Sequence, residues 1–498
     1  MLPTRSISRI INGGGVLRRN AMNNWVKRGF STPMNCNRTF TRNNTVFYNI
    51  SRSYSNEMNG EQLYQEGYKY YLGLESPNEK VKPDEDKAFQ LFQQSVEKDH
   101  LPAIHALGFC YMNGIGCKQD IQKGFQLYEE AASRGFVHAL VSLGDNHFSD
   151  KYGSHDMNKA IDYYKQASDK GSTFGQKVLG KLYSLGKGVP QDYSIAFDYM
   201  MKGAESGDVE CLETVATYYH YGKGVDSSIE KAKEYYQKAA EKGSTDALVQ
   251  LGVILLDSKV YSGAYELFNV AAQRRNANGK TMAAFLLARG MGVEKDIPQA
   301  VKYLEEAASE GQENAVLELG KYYCSGFGVE QDYSKGIQCL EACIQNNNPD
   351  AQYFLANLYY KGEGVEKDPS KAFELVSKAT ETNLIPDAHC LLGHLYRDGA
   401  GVEQDSTKAF TSYLHAANNG SAEGQYSVGM CYRLGVAGEK NDEMAFTFFK
   451  LAAENSSILP VAMEALALCY ESGVGVEKNP EEGKKWRDRV AEVTGKTE

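Results

Sequence analysis

Before Glu57 the 498-residue chain contains no aspartate and no glutamate. Nowhere does it contain an apolar run of about 18 residues, so no transmembrane helix is expected. It has no C-x-x-C pair, and no cysteine pairing recurs at a fixed interval, which favours a reducing compartment. G-x-S-x-G, Walker, H-E-x-x-H and protein-kinase motifs are also missing. The usual nucleophile, phosphate-cradle and metalloprotease chemistries therefore have no footing, and no catalytic residue is assigned.

The acid-free leader carries nine basic residues: Arg5, Arg9, Arg18, Arg19, Lys27, Arg28, Arg38, Arg42 and Arg52. The remainder holds 45 basic against 64 acidic residues. So acidic a body repels phosphates and anionic lipid surfaces, which argues against nucleic acid as a partner. An Arg- and Ser-rich, acid-free leader has the composition of a mitochondrial transit peptide, and it lacks the apolar core of a secretory signal. Arg5 and Arg9, four apart, share a helix face. Two places have an Arg shortly before an aromatic at a cut: Arg28-Gly29-Phe30 before Ser31, and Arg52-Ser53-Tyr54 before Ser55. The expected organisation is a disordered transit peptide over 1–54, a linker over 55–60 and a repeat body over 61–495, in the mitochondrial matrix rather than the intermembrane space. A plain basic tail is the alternative.

One pattern recurs along the body, as in VLGKLYSLGKGVPQDYSIAFDYM and ELGKYYCSGFGVEQDYSKG. The loop glycines Gly186, Gly222, Gly290, Gly326, Gly362, Gly399 and Gly435 set the register; Gly186 to Gly222, Gly290 to Gly326 and Gly326 to Gly362 each step by 36. A period of this size marks a stacked supersecondary unit. In the first helix a Leu is followed by Gly and, four after the Leu, by Tyr: Leu107, Gly108, Tyr111; Leu179, Gly180, Tyr183; Leu319, Gly320, Tyr323; Leu392, Gly393, Tyr396. Residues four apart share a face, so Leu and Tyr should form a buried stripe. A mid-helix Gly costs about 1 kcal/mol against Ala, so close approach of the partner helix is expected there. A Gly-x-Gly-Val loop follows, its Val buried, and Asp120, Asp192, Asp296, Asp332, Asp368 or Asp405 then caps the second helix. Gly135, Gly171, Gly207, Gly243, Gly311 and Gly420 close units.

These strings resemble the Sel-one-like repeat, the relative of the tetratricopeptide repeat with a longer inter-helix loop. The resemblance implies an all-α, right-handed α-solenoid of about twelve helix-turn-helix units. Three units depart from the pattern. The first has a longer loop at Glu75–Lys82, and a second replaces its loop glycines with Asp150-Lys151-Tyr152. The unit at Ala247, Leu251, Gly252 and Ala264 has lost the loop, which is expected to mark a kink near 252–276.

Cys110, Cys431 and Cys469 share a column that Leu182, Ile254, Leu286, Leu358 and Leu395 fill elsewhere, so they read as small buried hydrophobes. Cys339 and Cys343 share a helix face and are placed to approach Cys324. His389, Cys390 and His394 are the one His/Cys cluster, with ligand spacing between Cys390 and His394 but no evident further ligand; no metal and no cofactor are assigned. By analogy with the wider family, first helices line a concave groove. Positions two and five after the Leu column give Lys181 and Ser184, Thr217 and His220, Lys321 and Cys324, Asn357 and Tyr360, His394 and Arg397, Met430 and Arg433. This ladder is the candidate partner groove. The resemblance implies a non-catalytic protein-interaction scaffold or adaptor of the assembly or quality-control type. Two alternatives are an adaptor of an endoplasmic-reticulum ubiquitin-ligase degradation complex, which would need a secretory signal, and a hydrolase of the bacterial repeat-protein type.

Overall fold

Alternation of apolar stripes with Gly-x-Gly loops produces paired helices. The computed structural model describes residues 58–495 except 74, 77–78, 81–82, 150, 437 and 456–458. Residues 1–57 lie outside it, and with them the processing candidates Arg28, Phe30, Ser31, Arg52, Tyr54 and Ser55. Among the described residues there are 24 helices, and within each of the two compact units first and second helices pack as consecutive pairs. In chain order they are α1 Gly60–Leu72, α2 Glu85–Glu97, α3 Leu101–Asn113, α4 Ile121–Ser133, α5 Val137–Phe148, α6 Met157–Asp169, α7 Thr173–Leu185, α8 Tyr193–Glu205, α9 Val209–Tyr221, α10 Ile229–Glu241, α11 Thr245–Asp257 and α12 Tyr261–Gln273. They continue as α13 Ala277–Arg289, α14 Ile297–Ser309, α15 Glu313–Ser325, α16 Tyr333–Gln345, α17 Pro349–Lys361, α18 Pro369–Thr380, α19 Pro386–Asp398, α20 Ser406–Asn418, α21 Ala422–Leu434, α22 Asp442–Asn455, α23 Pro460–Ser472 and α24 Pro480–Thr494. The fold is an α-solenoid. Its described strands are a short antiparallel pair, β1 Glu75–Ser76 and β2 Glu79–Lys80, in the long first loop. The chain forms two compact units, one ending at Leu251 and one beginning at Gly252.

The Gly-x-Gly loops are built from the same parts. In the α7–α8 loop, Gly186 takes φ 65° and its N–H donates to the Leu182 carbonyl, ending α7; Gly188 follows at φ 75°. The Asp192 N–H donates to Tyr183 O at 3.0 Å, and its carboxylate accepts from the Ser194 and Ile195 N–H groups, starting α8. Gln191 Nε2 donates to Ser184 O at 2.8 Å, satisfying a last-turn carbonyl. Asp120, Asp296, Asp332, Asp368 and Asp405 cap in the same way. The loop valines, among them Val189 and Val365, are half-buried rather than buried. Where the loop is lost, a three-residue link joins α11 to α12, with Lys259 at φ 62° and the Val260 N–H on Leu255 O at 2.8 Å.

The stripe of the first helix differs from its expected form. Leu107, Leu179 and Leu319 are buried, but Leu392 and the recurring Tyr111, Tyr183, Tyr323 and Tyr396 are half-buried. The fully buried rings sit on the second helix: Tyr128, Tyr164, Tyr236, Phe268 and Tyr413. They explain the mid-helix glycines. A Cβ on Gly108 would lie 2.8 Å from Tyr128 Cδ1, on Gly144 2.7 Å from Tyr164 Cε1, and on Gly252 2.5 Å from Phe268 Cε1. The glycine makes room for a ring of the partner helix. The recurring Tyr instead joins repeats: Phe197 meets Tyr219 edge-on at 5.3 Å, and Phe373 meets Tyr396 at 5.5 Å. In several repeats a Lys near the start of the second helix covers the same ring, as Lys231 does Tyr219 and Lys371 does Tyr359; Lys408 Nζ lies 5.5 Å from the Tyr396 centroid and 3.5 Å from Asp405.

Gly144→Ala gains about 1 kcal/mol of helix propensity but forces the Tyr164 ring out of place. Overpacking of this kind costs about 1–3 kcal/mol, so the clash wins. Denaturant titration should show lower stability, whereas Gly144→Ala combined with Tyr164→Leu should recover part of it. No loss in the single variant would mean that the ring has room to move.

Candidate partner-binding face

The ladder residues lie on the first helices, as their spacing requires, but the structure gives them unequal roles. Within the first unit, Lys181 ion-pairs with Glu210 of the next first helix. Lys177, one turn earlier, reaches Asp208 at 3.2 Å and Glu210 at 3.1 Å. Ser184 Oγ donates to Lys181 O at 2.9 Å, and Thr217 Oγ1 lies 2.8 Å from Glu213 O and 3.0 Å from the Tyr236 hydroxyl. His220 stacks on Tyr221 with ring centroids 4.5 Å apart.

Within the second unit, Lys321 pairs with Glu318 at 2.9 Å, and Asn357 Nδ2 donates to Tyr353 O at 3.3 Å. The Tyr360 hydroxyl donates to Asp398 Oδ2 at 3.0 Å. Arg397 grips the same carboxylate through two nitrogens, at 2.7 and 3.0 Å. Arg433 holds Asp442 at 2.7 Å. Two ladder members do not belong to an open face. Cys324 is 3% exposed and lies in an apolar cluster with Leu340 and Leu355, because the neighbouring second helix offers Gly336 opposite it. Met430 is half-buried against the cluster around Phe449 and Met463. His394 is half-buried as well, edge-on to Tyr413 with centroids 5.3 Å apart, and burial lowers its pKa to about 4.

Cys110, Cys431 and Cys469 are buried in the column expected for them, and the nine described cysteines are free thiols. Cys324, Cys339 and Cys343 are thus unbridged. Burial pushes the Cys110 and Cys211 thiols up to about 12, which makes them poor nucleophiles at neutral pH.

The residues that pair with the ladder were missed in the sequence, because they sit in the first turn of the following repeat: Glu210 for Lys181, and Glu423 beside His394. Their signal is a constant offset between successive first helices. Asp145 was missed too. It holds the ladder's second position in its repeat and accepts a 2.6 Å hydrogen bond from the Tyr164 hydroxyl.

With the helical stack and its exposed face in place, the chain is defined as a helical-repeat protein, a class whose stacked units present extended binding surfaces. Eleven segments match the Sel1 repeat: 63–100, 101–136, 137–172, 174–208, 215–244, 281–312, 314–347, 349–381, 386–421, 422–457 and 460–486. The chain belongs to the Sel1 repeat family. The longest interval between matched segments, 245–280, contains the pair that lost its loop. A protective antigen of uropathogenic Escherichia coli with this repeat fold is 26% identical, with a TM-score of 0.52 over 87% of this chain and 84% of that one. A Sel1 repeat protein from Oxalobacter formigenes is 25% identical, with a TM-score of 0.48 over 61% of this chain and 90% of that one. No curated protein matches the chain. Sel1-type repeats make the chain a protein-interaction scaffold in broad class, and among the described residues no helix is long and apolar enough to cross a membrane.

Asp145 provides a pH test of this face. Burial raises its pKa from 3.8 to about 6, opposed by the Tyr164 hydrogen bond. A raised folded pKa means that the native state holds the proton more tightly than the unfolded chain. The resulting stabilisation is complete below about pH 4 and is lost as pH rises through about 6. Asp145 keeps some exposed surface, so the effect should be about 1–2 kcal/mol rather than the whole shift. Asp145→Asn should therefore be more stable than the wild type at pH 7.5, with the gain shrinking toward pH 4. A gain that does not change with pH would show that Asp145 titrates normally.

Proposed function

We propose that this protein is a non-catalytic adaptor that holds one or more proteins in mitochondria, in assembly or quality control. The observation that carries the reading is the fixed geometry of Tyr360, Arg397 and Arg433 at the ends of α17, α19 and α21. Tyr and Arg are the side chains that most often dominate protein interfaces. Here their rotamers are already held by Asp398 and Asp442, so little side-chain freedom remains to be lost on binding. Arg397 uses two of its five N–H donors on Asp398, and its side chain is 53% exposed, which leaves donors for a partner's carboxylates or carbonyls. The compartment rests on the acid-free basic leader, with the matrix as the expected destination.

Charge reversal tests the binding face. Arg397→Glu with Arg433→Glu breaks one exposed and one half-buried ion pair near the surface, worth about 0–1 kcal/mol each, so helicity and melting should change little. Proteins captured from a mitochondrial extract by the wild type should be lost. Capture that survives the double reversal would reduce this face to ordinary surface.

The leader is tested separately. Residues 1–57 fused to a fluorescent reporter should carry it into mitochondria, and replacing Arg5, Arg9, Arg18 and Arg19 by Gln should stop import. A cytosolic signal from the intact fusion would overturn the compartment.

A further inference from the structure

Cys390 and His394 lie one turn apart on α19, and Glu423 stands in the first turn of α21. Cys390 Sγ is 4.0 Å from His394 Nε2, which is 3.9 Å from Glu423 Oε1; the three donor atoms lie within 4.8 Å of one another. Cys390 is buried, His394 half-buried and Glu423 exposed, so the cluster has a closed floor and an open mouth.

The same three places in the first unit are held by Lys177, Lys181 and Glu210. In both cases the acid follows the first residue by 33 positions and the second by 29. There the carboxylate of Glu210 is neutralised by both ammonium groups. The fold thus brings two residues of one first helix, four apart, against an acid of the next. In the later instance both lysines are replaced by lone-pair donors, a thiol and an imidazole. Among the described residues no Lys or Arg nitrogen lies within ion-pair distance of Glu423.

We propose that Cys390, His394 and Glu423 bind a divalent transition-metal ion of the zinc type, which takes the place that the lysine ammonium groups hold in the earlier repeat. Sulfur, imidazole nitrogen and carboxylate oxygen are a zinc donor set, and around zinc such donors sit about 3.5 Å apart. Rotation of the exposed Glu423 side chain closes the 3.9 Å gap to His394, and the 4.0 Å between Cys390 Sγ and His394 Nε2 closes by small side-chain adjustments within α19. As the metal–sulfur bond forms, the Cys390 thiol releases its proton to solvent. Thiolate and carboxylate together then balance the two positive charges. Tyr413 packs edge-on against the His394 ring, and in the tautomer that carries the proton on Nδ1 the Nε2 lone pair faces the cluster. The nearest cation on the same helix, Arg397, is bound to Asp398. Three protein donors leave a fourth position for water or an incoming ligand.

Cobalt(II) is the probe. Titrated into the full chain, reduced with a phosphine and stripped of metal, it should give a thiolate-to-metal charge-transfer band that saturates at one equivalent and is erased by zinc. Cys390→Ser and His394→Ala should remove the band, and Cys117→Ser, a half-buried cysteine elsewhere, should keep it. Glu423→Gln changes only an exposed side chain and should weaken cobalt binding by about 10-fold or more. No band, a band that survives Cys390→Ser, or unchanged affinity in Glu423→Gln would overturn the site. The last variant keeps the proposal testable if Cys390→Ser or His394→Ala fails to fold.

Discussion

The architecture depends on one steric exchange: a first helix gives up a side chain so that the second helix can insert a large one, in many repeats a ring. Gly108, Gly144 and Gly252 accept Tyr128, Tyr164 and Phe268 at distances that leave no room for a methyl group. The exchange sets how close the two helices of a pair come, and thereby where every other residue of the repeat points. Alanines with no exposed surface, such as Ala131, Ala139, Ala160 and Ala167, then let one pair approach the next. Most of the recurring tyrosines sit at the edge of that interior, where in several repeats a phenylalanine from the preceding repeat and a lysine from the same repeat hold them.

Much of this was legible in the sequence because backbone demands admit few residue types. A left-handed helix end calls for glycine, as at Gly186 and Gly222, and an N-cap calls for Asp, as at Asp192 and Asp405. Identity therefore repeats where geometry is strict. The ring column was not legible for the opposite reason. Tyr128, Met200, Tyr236, Phe268 and Phe449 answer the same spatial need with different side chains. A pocket that selects by volume leaves no repeated letter.

The binding face was legible in outline only. Helical spacing placed Lys181, Tyr360 and Arg397 on one side of their helices, and the structure keeps them there. It could not reveal that Cys324 and Met430, at the same register, turn into apolar clusters, because that depends on what the neighbouring helix offers: Gly336 in one case, Phe449 in the other. Nor does a single repeat predict Glu210 or Glu423, whose partners lie a full unit earlier. Contacts between repeats are written in the sequence as offsets, and become visible only when adjacent units are read together.

The offset from Lys177 and Lys181 to Glu210, found again from Cys390 and His394 to Glu423, has a wider consequence. Three side chains meet at the seam between repeats, from a buried floor at Cys390 to an exposed rim at Glu423, and their chemistry differs between the two seams while the helices around them keep the same arrangement. The same offset makes a cationic cluster at one seam and a lone-pair donor cluster at another. One solenoid can thus differ in charge and donor chemistry from seam to seam along its length.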